Sequence, residues 1–353
     1  YRDVERRPGR ADPVCGEPMK HLLAASVLAI LPGFVAAQSI TADIVNNHVL
    51  PGYDALAEAG KALSDAAATD CAATSNPLRM AYGAAFDAWI AVSHMRFGPS
   101  ETDDRAFALS FWPDSRGATP KALGTLLRDE DPIAQSADAY RDMSIAARGF
   151  YAMEFLLYDE TISTAGNAGY RCQLVQTVAA DIANLTQDIA NDWDDGYAAL
   201  LTNPSGDGIY RTDLEAMQEL FKALTTGLQL TSEARLGRPL GTFDQPRPRR
   251  AEAWRSGRSA RHVAIAIESL ADLGSRLSAD DPALQESLNA AFTRALTQIA
   301  ALDDPAFAGV ADPASRIKVE AIRSRVEEIR AIAENELGPS LGVASGFNAL
   351  DGD

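Results

Sequence analysis

The chain has 353 residues and a formal net charge of −17, because 49 acidic residues outnumber 32 basic ones. A surface with this excess of carboxylates argues against binding to nucleic acid or to anionic membranes. It attracts cations without selecting among them. The length is sufficient to bury one large hydrophobic core or two smaller ones.

The first 37 residues have the pattern of an export signal. Met19 opens a short basic segment, an apolar run covers 22–35, and small residues occupy positions 35 and 37. The run is too short for a membrane span, so we predict a secretory signal peptide that is cleaved after Ala37. The expected location is therefore the periplasm or cell envelope. We interpret residues 1–18 as an upstream extension from a misassigned start, the alternative being a genuine cytoplasmic leader.

Cysteine usage agrees with export. Cys71 and Cys172 are the cysteines that follow the predicted cleavage site. Two cysteines in an oxidising compartment can form one disulfide, and we predict that these two are paired. The chain has no Cys-x-x-Cys motif, so the sequence predicts neither a dithiol redox centre nor a thiolate zinc site.

Most long segments show apolar residues at steps of three and four, which is typical of amphipathic helices. No segment has a convincing strand pattern, so the predicted fold class is all-α. The predicted helices cover 40–68 with a break at Pro51, 78–95, a short helix that starts at Thr119 and Pro120, 132–158, 170–201, 214–235, 257–278, 282–302 and 313–336.

Two helix ends in the chain have similar sequences. The Arg-Phe-Gly-Pro of 96–99 precedes a loop with Trp and Arg, and the Arg-Leu-Gly-Arg-Pro of 235–239 precedes another, at 254–258. A turn cluster at 203–208 lies between them. The similarity favours an internal duplication with its boundary at 203–208, although helix ends with Gly and Pro are common and chance is the alternative.

The segment 144–159 is a mostly apolar predicted helix that carries a glutamate. Helical spacing places Tyr151 and Glu154 on one stripe, with Gly149 in mid-helix for close packing. A carboxylate among apolar neighbours is costly unless it is paired, hydrogen-bonded or metal-bound. Phenol and carboxylate oxygens suit a hard cation such as Fe³⁺. The alternative is a structural Tyr–Glu contact, with Arg96 or Arg116 as the partner of Glu154.

The remaining candidate residues are weaker. His48 and His94 lie on helices that can face 144–159, but each is also explained as an ordinary polar residue. Arg96 and Arg116 lie on loops and are either binding groups or structural ion pairs. The chain has no His-Glu-x-x-His motif, so a zinc-protease site is poorly supported.

The segment Gly-Phe-Tyr-Ala-Met-Glu at 149–154 resembles the Gly-x-His-x-x-Glu signature of the imelysin-like family, with Tyr151 where that family has His. Segments 96–99, 112–117 and 341–353 are similar to the family in their order and spacing. These are bacterial envelope proteins that carry a peptidase M75 label and include iron-uptake proteins. The resemblance implies two related helical bundles side by side, at 38–202 and 209–353, which together form one compact unit.

The resemblance also implies a function. We expect the protein to bind iron or an iron-bearing ligand, with an envelope transport protein as a further partner and zinc as a less favoured ion. The alternatives are a metal-dependent peptidase, which Tyr151 weakens, and a scaffold with a degenerate site. The expected site is non-catalytic and comprises Tyr151, Glu154, Arg96, Arg116, His48 and His94.

Overall fold

The computed structural model describes residues 40–343. This part of the chain consists of helices, turns and loops, and it contains no β-strand beyond one isolated bridge between Thr242 and Gln245. The all-α prediction is confirmed. None of the helices in this range is both long and apolar enough to cross a lipid bilayer. The predicted signal peptide, its cleavage site after Ala37 and the tail 344–353 lie outside the described residues.

Nine α-helices of ten or more residues make up most of the described chain. They are α1 (Leu50–Thr69), α2 (Asn76–Val92), α3 (Ala118–Asp129), α4 (Gly149–Tyr158), α5 (Ala168–Asp192), α6 (Asp213–Gln229), α7 (Ser259–Leu277), α8 (Pro282–Ala300) and α9 (Pro313–Ile332).

The long helices pack in two groups. In the first group α1 packs against α2 and α5, and α4 packs on α5. In the second group α7 packs against α8, α8 against α9, and α6 against both α7 and α9. The largest helix contact between the groups joins α2 to α7. The turn cluster at 203–208 lies between the two groups in sequence.

Aromatic side chains fill the core where the two groups meet. Phe86 on α2 stacks on Phe150 of α4, with ring centroids 4.8 Å apart. The rings of Tyr151 and His262 also lie against it, at 5.3 Å and 4.4 Å. Because His262 belongs to α7, Phe86 is a packing centre shared by α2, α4 and α7.

Several helices continue through wide π-type turns where the sequence predicts a break or a plain helix. These turns are Val45–Val49, Trp193–Tyr197, Leu230–Leu236 and Ala333–Leu337. The second of them contains a kink, because Gly196 has a non-helical φ of +148°. The predicted break at Pro51 is wrong, because Pro51 lies in the first turn of α1 and the helix continues from the preceding π turn. A proline inside a continuous helix has no N–H to donate to the preceding turn, and the wide π turn at Val45–Val49 is the local adjustment that lies directly before it.

The predicted helix 132–158 is wrong over its first half. That half contains three short helical segments, and α4 begins only at Gly149. Gly149 has φ +71°, which is easy for glycine and costly for other residues. A Cβ there would lie 2.2 Å from the carbonyl oxygen of Ala108. Gly149 therefore allows α4 to start against the 108–109 backbone, and it is not a mid-helix residue.

The predicted start of the short helix at Thr119 and Pro120 also needs correction. Helix α3 begins at Ala118, after Gly117 with φ +64°. The carboxylate of Asp114 accepts hydrogen bonds from the N–H groups of Ala118 and Thr119, both at 2.9 Å. Asp114 thus satisfies the free N–H groups of the first helical turn.

The predicted disulfide between Cys71 and Cys172 is confirmed, with the two Cα atoms 5.1 Å apart. Cys71 follows α1 and Cys172 lies near the start of α5. The bond spans 101 residues of sequence, so it restricts a large loop of the unfolded chain.

We predict that Gly149→Ala lowers the free energy of unfolding by about 2 kcal/mol or more, because alanine is strained at positive φ and its Cβ collides with backbone. Gly124→Ala is the matched control. Gly124 lies inside α3, and a Cβ added there would meet open space, so alanine should stabilise the protein by about 0.5–1 kcal/mol. Urea denaturation of both variants measures the difference, and equal effects would contradict this role of Gly149.

Candidate functional site

A cavity of about 420 Å³ opens between the two groups of helices. One wall is formed by residues of α4 and by residues between 111 and 120, a range that covers the loop before α3 and the first residues of that helix. The other wall is formed by residues between 238 and 255. The lining combines aromatic side chains with charged ones, including Tyr151, Glu154, Trp112, Trp254, Asp114, Asp159, Arg238, Arg249, Arg250 and Arg255.

Helix α4 presents Tyr151 and Glu154 to this cavity. The two residues are three positions apart, so they lie on one face of the helix. Both are almost fully buried, with 5% and 2% of their surface exposed. The ring of Phe86 packs against that of Tyr151. Each of the two buried polar groups therefore needs a hydrogen-bond partner.

The partner of Tyr151 is Glu252, a buried carboxylate at the centre of a polar cluster. The Tyr151 hydroxyl donates to Glu252 Oε1 at 2.6 Å. Arg235 Nε donates to Glu252 Oε2 at 2.8 Å, and both side chains are 4% exposed. His262 Nδ1 lies 3.4 Å from the same oxygen, which is a close polar contact and not a well-formed hydrogen bond.

The protonation states of this cluster follow from its contacts. Burial alone would raise the pKa of Glu252, but the charge of Arg235 and contacts from His262 and Tyr151 lower it to about 2. Burial lowers the pKa of His262, which favours the neutral imidazole. Burial, together with the charge of Glu252, raises the pKa of Tyr151 well above its usual value. The cluster is thus a carboxylate–guanidinium pair with a phenol as donor.

Arg235 reaches Glu252 because of the wide turn at Leu230–Leu236. Its Nη2 also donates to the hydroxyl of Ser93, at the end of α2, at 3.1 Å. This side chain therefore joins the segment after α6 to both α2 and the 252 region. An ion pair taken out of water needs such additional hydrogen bonds to offset its desolvation.

Glu154 has a different partner from the one that the sequence indicated. Its Oε1 accepts hydrogen bonds from the backbone N–H of Ser256 at 2.9 Å and from the Ser256 hydroxyl at 2.8 Å. The expectation of Arg96 or Arg116 as partner is wrong. Arg96 pairs with Glu101 at 2.6 Å, and the side chain of Arg116 is exposed. Burial raises the pKa of Glu154, against the lowering effect of the two Ser256 donors.

The remaining residues of the predicted site lie outside the cavity. His48 Nδ1 contacts Asp272 at 2.7 Å, and His48 Nε2 lies 3.1 Å from His94 Nε2. Burial, with the nearby charge of His48, lowers the pKa of His94 well below its usual value. Of the six predicted residues, the structure brings Tyr151 and Glu154 to the cavity, while His48, His94, Arg96 and Arg116 are not among its lining residues.

Glu252 and Arg235 are residues of this site that the sequence did not predict. Ser256 begins the segment 256–259, whose sequence is compatible either with holding an anion or with capping the helix that follows. Glu252 lies in the arginine-rich stretch 247–258, so its sequence neighbours give no sign that its carboxylate is buried. Arg235 lies in the segment 235–239 that resembles 96–99, but this similarity does not predict a role for its side chain.

The donor atoms do not fit a zinc ion. Across residues 40–343 no group of three or more His, Cys, Asp or Glu side chains is placed to hold a metal ion. The Tyr151 phenol donates a hydrogen bond to Glu252, and Glu252 is neutralised by Arg235. These groups are arranged for hydrogen bonding, whereas a structural or catalytic zinc requires three or four free nitrogen, sulfur or oxygen ligands.

We predict that the free energy of unfolding of Glu154→Gln is close to that of wild type at pH 8. Relative to wild type, the variant becomes more stable as the pH rises. The amide oxygen can keep both bonds from Ser256 without burying a charge. Because folding raises the pKa of Glu154 above its usual value of 4.5, ionisation above that pH costs the wild type stability that it holds at lower pH. Urea denaturation between about pH 4 and pH 8 measures the difference.

The matched control for this prediction is Glu286→Gln at an exposed position of α8. Its free energy of unfolding should change with pH in the same way as that of wild type. A stability difference between wild type and Glu154→Gln that is the same at every pH would contradict the prediction.

Comparisons with known proteins agree with this architecture. The imelysin family profile, also called Peptidase_M75, matches residues 49–332. An imelysin-like protein from Psychrobacter arcticum superposes with a TM-score of 0.76 and 18% identity, over 89% of this chain and 98% of that one. A protein from Parabacteroides distasonis, assigned as an iron-regulated protein A precursor, gives 0.71 and 15%, over 85% and 94%. No curated relative matches by sequence. On the extent of the profile match, the chain belongs to the imelysin family.

Proposed function

We propose that this imelysin-family protein binds a small iron-bearing ligand at the cell envelope, in the cavity between its two groups of helices. The observation that carries the proposal is the cavity itself, which has walls from both groups and the buried polar residues Tyr151 and Glu154 on one side. The structural similarity to a protein assigned as iron-regulated supports iron as the cargo.

The size of the cavity favours a chelated ion over a bare one. Ligand pockets in proteins have volumes of about 300–1,000 Å³, and a volume of about 420 Å³ lies in that range. A single ion would need ligand atoms converging within about 2–2.6 Å, and a space this large cannot supply them from all sides. A chelate brings its own donor atoms and fills the space.

The chemistry of the polar residues supports the same choice. The Tyr151 hydroxyl donates a hydrogen bond to Glu252 at 2.6 Å, and burial raises the pKa of the phenol well above its usual value. A protonated phenol is a poor iron ligand but a good hydrogen-bond donor. Iron is therefore best treated as cargo within a ligand and not as a cofactor bound directly by Tyr151 and Glu154.

An envelope location and transfer of the ligand to a transport partner belong to the same proposal. A cavity between two packed groups of helices can open by a small relative movement of its walls. The Psychrobacter and Parabacteroides structures share this two-group fold over most of their length. A scaffold with a degenerate site is the competing view, and it differs in requiring no ligand at all.

We predict that the purified protein binds at least one ferric chelate with one-to-one stoichiometry. The two probes are ferric citrate, which is anionic, and ferrioxamine B, which is cationic. Trp112 and Trp254 line the cavity, so binding should quench tryptophan fluorescence, and equilibrium dialysis with radioactive iron gives the stoichiometry.

A blocking variant locates the site. Ser115 is exposed and lines the cavity, so Ser115→Trp should weaken binding about ten-fold or more by occupying the entrance. Ser324→Trp, at an exposed position of α9, is the control and should bind like wild type. Failure of both chelates to bind the wild type would contradict the proposed function and favour the scaffold.

A metal-dependent peptidase is the alternative from a different class, and we predict no chelator-sensitive cleavage of casein or insulin that depends on Glu154. A zinc peptidase needs a ligated water and a general base beside it. The assay compares wild type with Glu154→Gln in the presence of added zinc. Cleavage that is lost both with a chelator and in the variant would establish peptidase activity and overturn the binding proposal.

A further inference from the structure

The cavity concentrates positive charge in a protein whose net charge is −17. Four arginines line it. Arg255 is paired with Asp159, at 2.8 Å. The other three, Arg238, Arg249 and Arg250, form no ion pair with a carboxylate in the part of the chain that the structure describes.

The acidic residues of the cavity are already engaged. The Asp114 carboxylate accepts the N–H groups at the start of α3. Asp159 holds Arg255, and Glu154 accepts both donors of Ser256. Burial also raises the pKa of Glu154. The positive charge of the three arginines is therefore not neutralised from within the lining.

Arg238 has the clearest unused capacity for hydrogen bonding. It lies partly buried just after the wide turn, and its Nε is buried without a hydrogen-bond partner among the described residues. Burial and the like charge of Arg250 lower the pKa of Arg238. Two guanidinium groups held near each other destabilise the folded state, and an anion bound between them would reverse the sign of that interaction.

Aromatic rings hold two of these arginines from opposite walls of the cavity. The Arg238 guanidinium lies 5.7 Å from the ring centre of Trp112, and the Arg249 guanidinium 5.6 Å from that of Trp254. Arginine stacks on aromatic faces and keeps the N–H groups at its edge free for hydrogen bonding. Two adjacent N–H groups of one guanidinium can donate in parallel to the two oxygens of a carboxylate or phosphate group.

From this arrangement we infer that the cavity binds a small oxyanion with more than one negative charge, recognised by Arg238, Arg249 and Arg250. The inference rests on the proposed function and specifies its ligand as an anionic chelate with carboxylate-type oxygens. Several guanidinium groups around one cavity favour several charges on one ligand, because each charged oxygen can then be paired.

The surroundings limit the ligand to a small molecule. The cavity volume of about 420 Å³ admits a chelate and excludes a folded macromolecule. The overall charge of −17 repels a long polyanion such as nucleic acid before it reaches the arginines. A compact anion feels mainly the local positive charge once it is inside, since screening removes the distant charges beyond about 8 Å at physiological salt.

Calorimetric titration with citrate, ferric citrate and ferrioxamine B tests the inference. Wild type should bind ferric citrate more tightly than the cationic ferrioxamine B, and the affinity for citrate should fall as salt rises. Arg238→Gln and Arg250→Gln should each weaken binding of ferric citrate about ten-fold or more, because each removes a charge-assisted hydrogen bond.

Arg247→Gln is the matched control. It removes the same charge from the same segment, but Arg247 bonds to Gln245 and does not line the cavity. It should leave the affinity unchanged. Circular dichroism melts verify that each variant is folded, and Arg250, which is exposed, provides a second test if Arg238→Gln is unstable.

The outcomes separate the inference from the proposed function. Arg-dependent binding of citrate that iron does not improve would support the anion site and count against iron as cargo. Binding of ferrioxamine B that is independent of the arginines would support iron binding and overturn the anion site. Absence of citrate and ferric citrate binding at millimolar concentration, or equal effects of Arg247→Gln and Arg238→Gln, would also overturn it.

Discussion

The buried ion pair between Arg235 and Glu252 is the interaction on which the arrangement of the cavity depends. Both side chains are 4% exposed, so the pair carries a desolvation cost that only further hydrogen bonds offset. Tyr151 supplies one of these to Glu252, and Ser93 accepts another from Arg235. Through these four residues α2, α4, the turn after α6 and the 252 region are fixed relative to one another.

The loop that carries Glu252 also positions Glu154 at the cavity. Four residues after Glu252, Ser256 donates two hydrogen bonds to Glu154. One short loop therefore contains the buried carboxylate of Glu252 and binds the buried carboxylate of Glu154. The loop is tight enough to require left-handed backbone at Ala253, with φ +48°, and at Gly257, with φ +69°. The Ser259 hydroxyl closes it by donating to the backbone oxygen of Glu252 at 2.6 Å. The polar side of the cavity is thus preorganised before any ligand enters.

Periodicity predicted most of the helices because their apolar faces are local properties of the sequence. It failed at 132–147, where the chain forms short turns, and at Gly149, whose φ of +71° depends on a close approach to residues 108–109 that lie far away in sequence. The candidate site was predictable in the same uneven way. The desolvation cost of a carboxylate among apolar residues identified Glu154. Its hydrogen-bond partner could not be predicted in this way, because Ser256 lies 102 residues away and is brought close only by the tertiary structure.

The tyrosine in place of the family's histidine changes what the signature can do. A histidine at 151 could offer a nitrogen lone pair to a metal and could titrate near neutral pH. The Tyr151 hydroxyl is instead engaged with Glu252, and burial and the charge of Glu252 raise the pKa of the phenol well above its usual value. It still donates a hydrogen bond, so it keeps the contact that positions α4 against Glu252. We therefore interpret the signature helix as one wall of the cavity, and our proposal assigns the selection of a ligand to the arginines on the opposite wall.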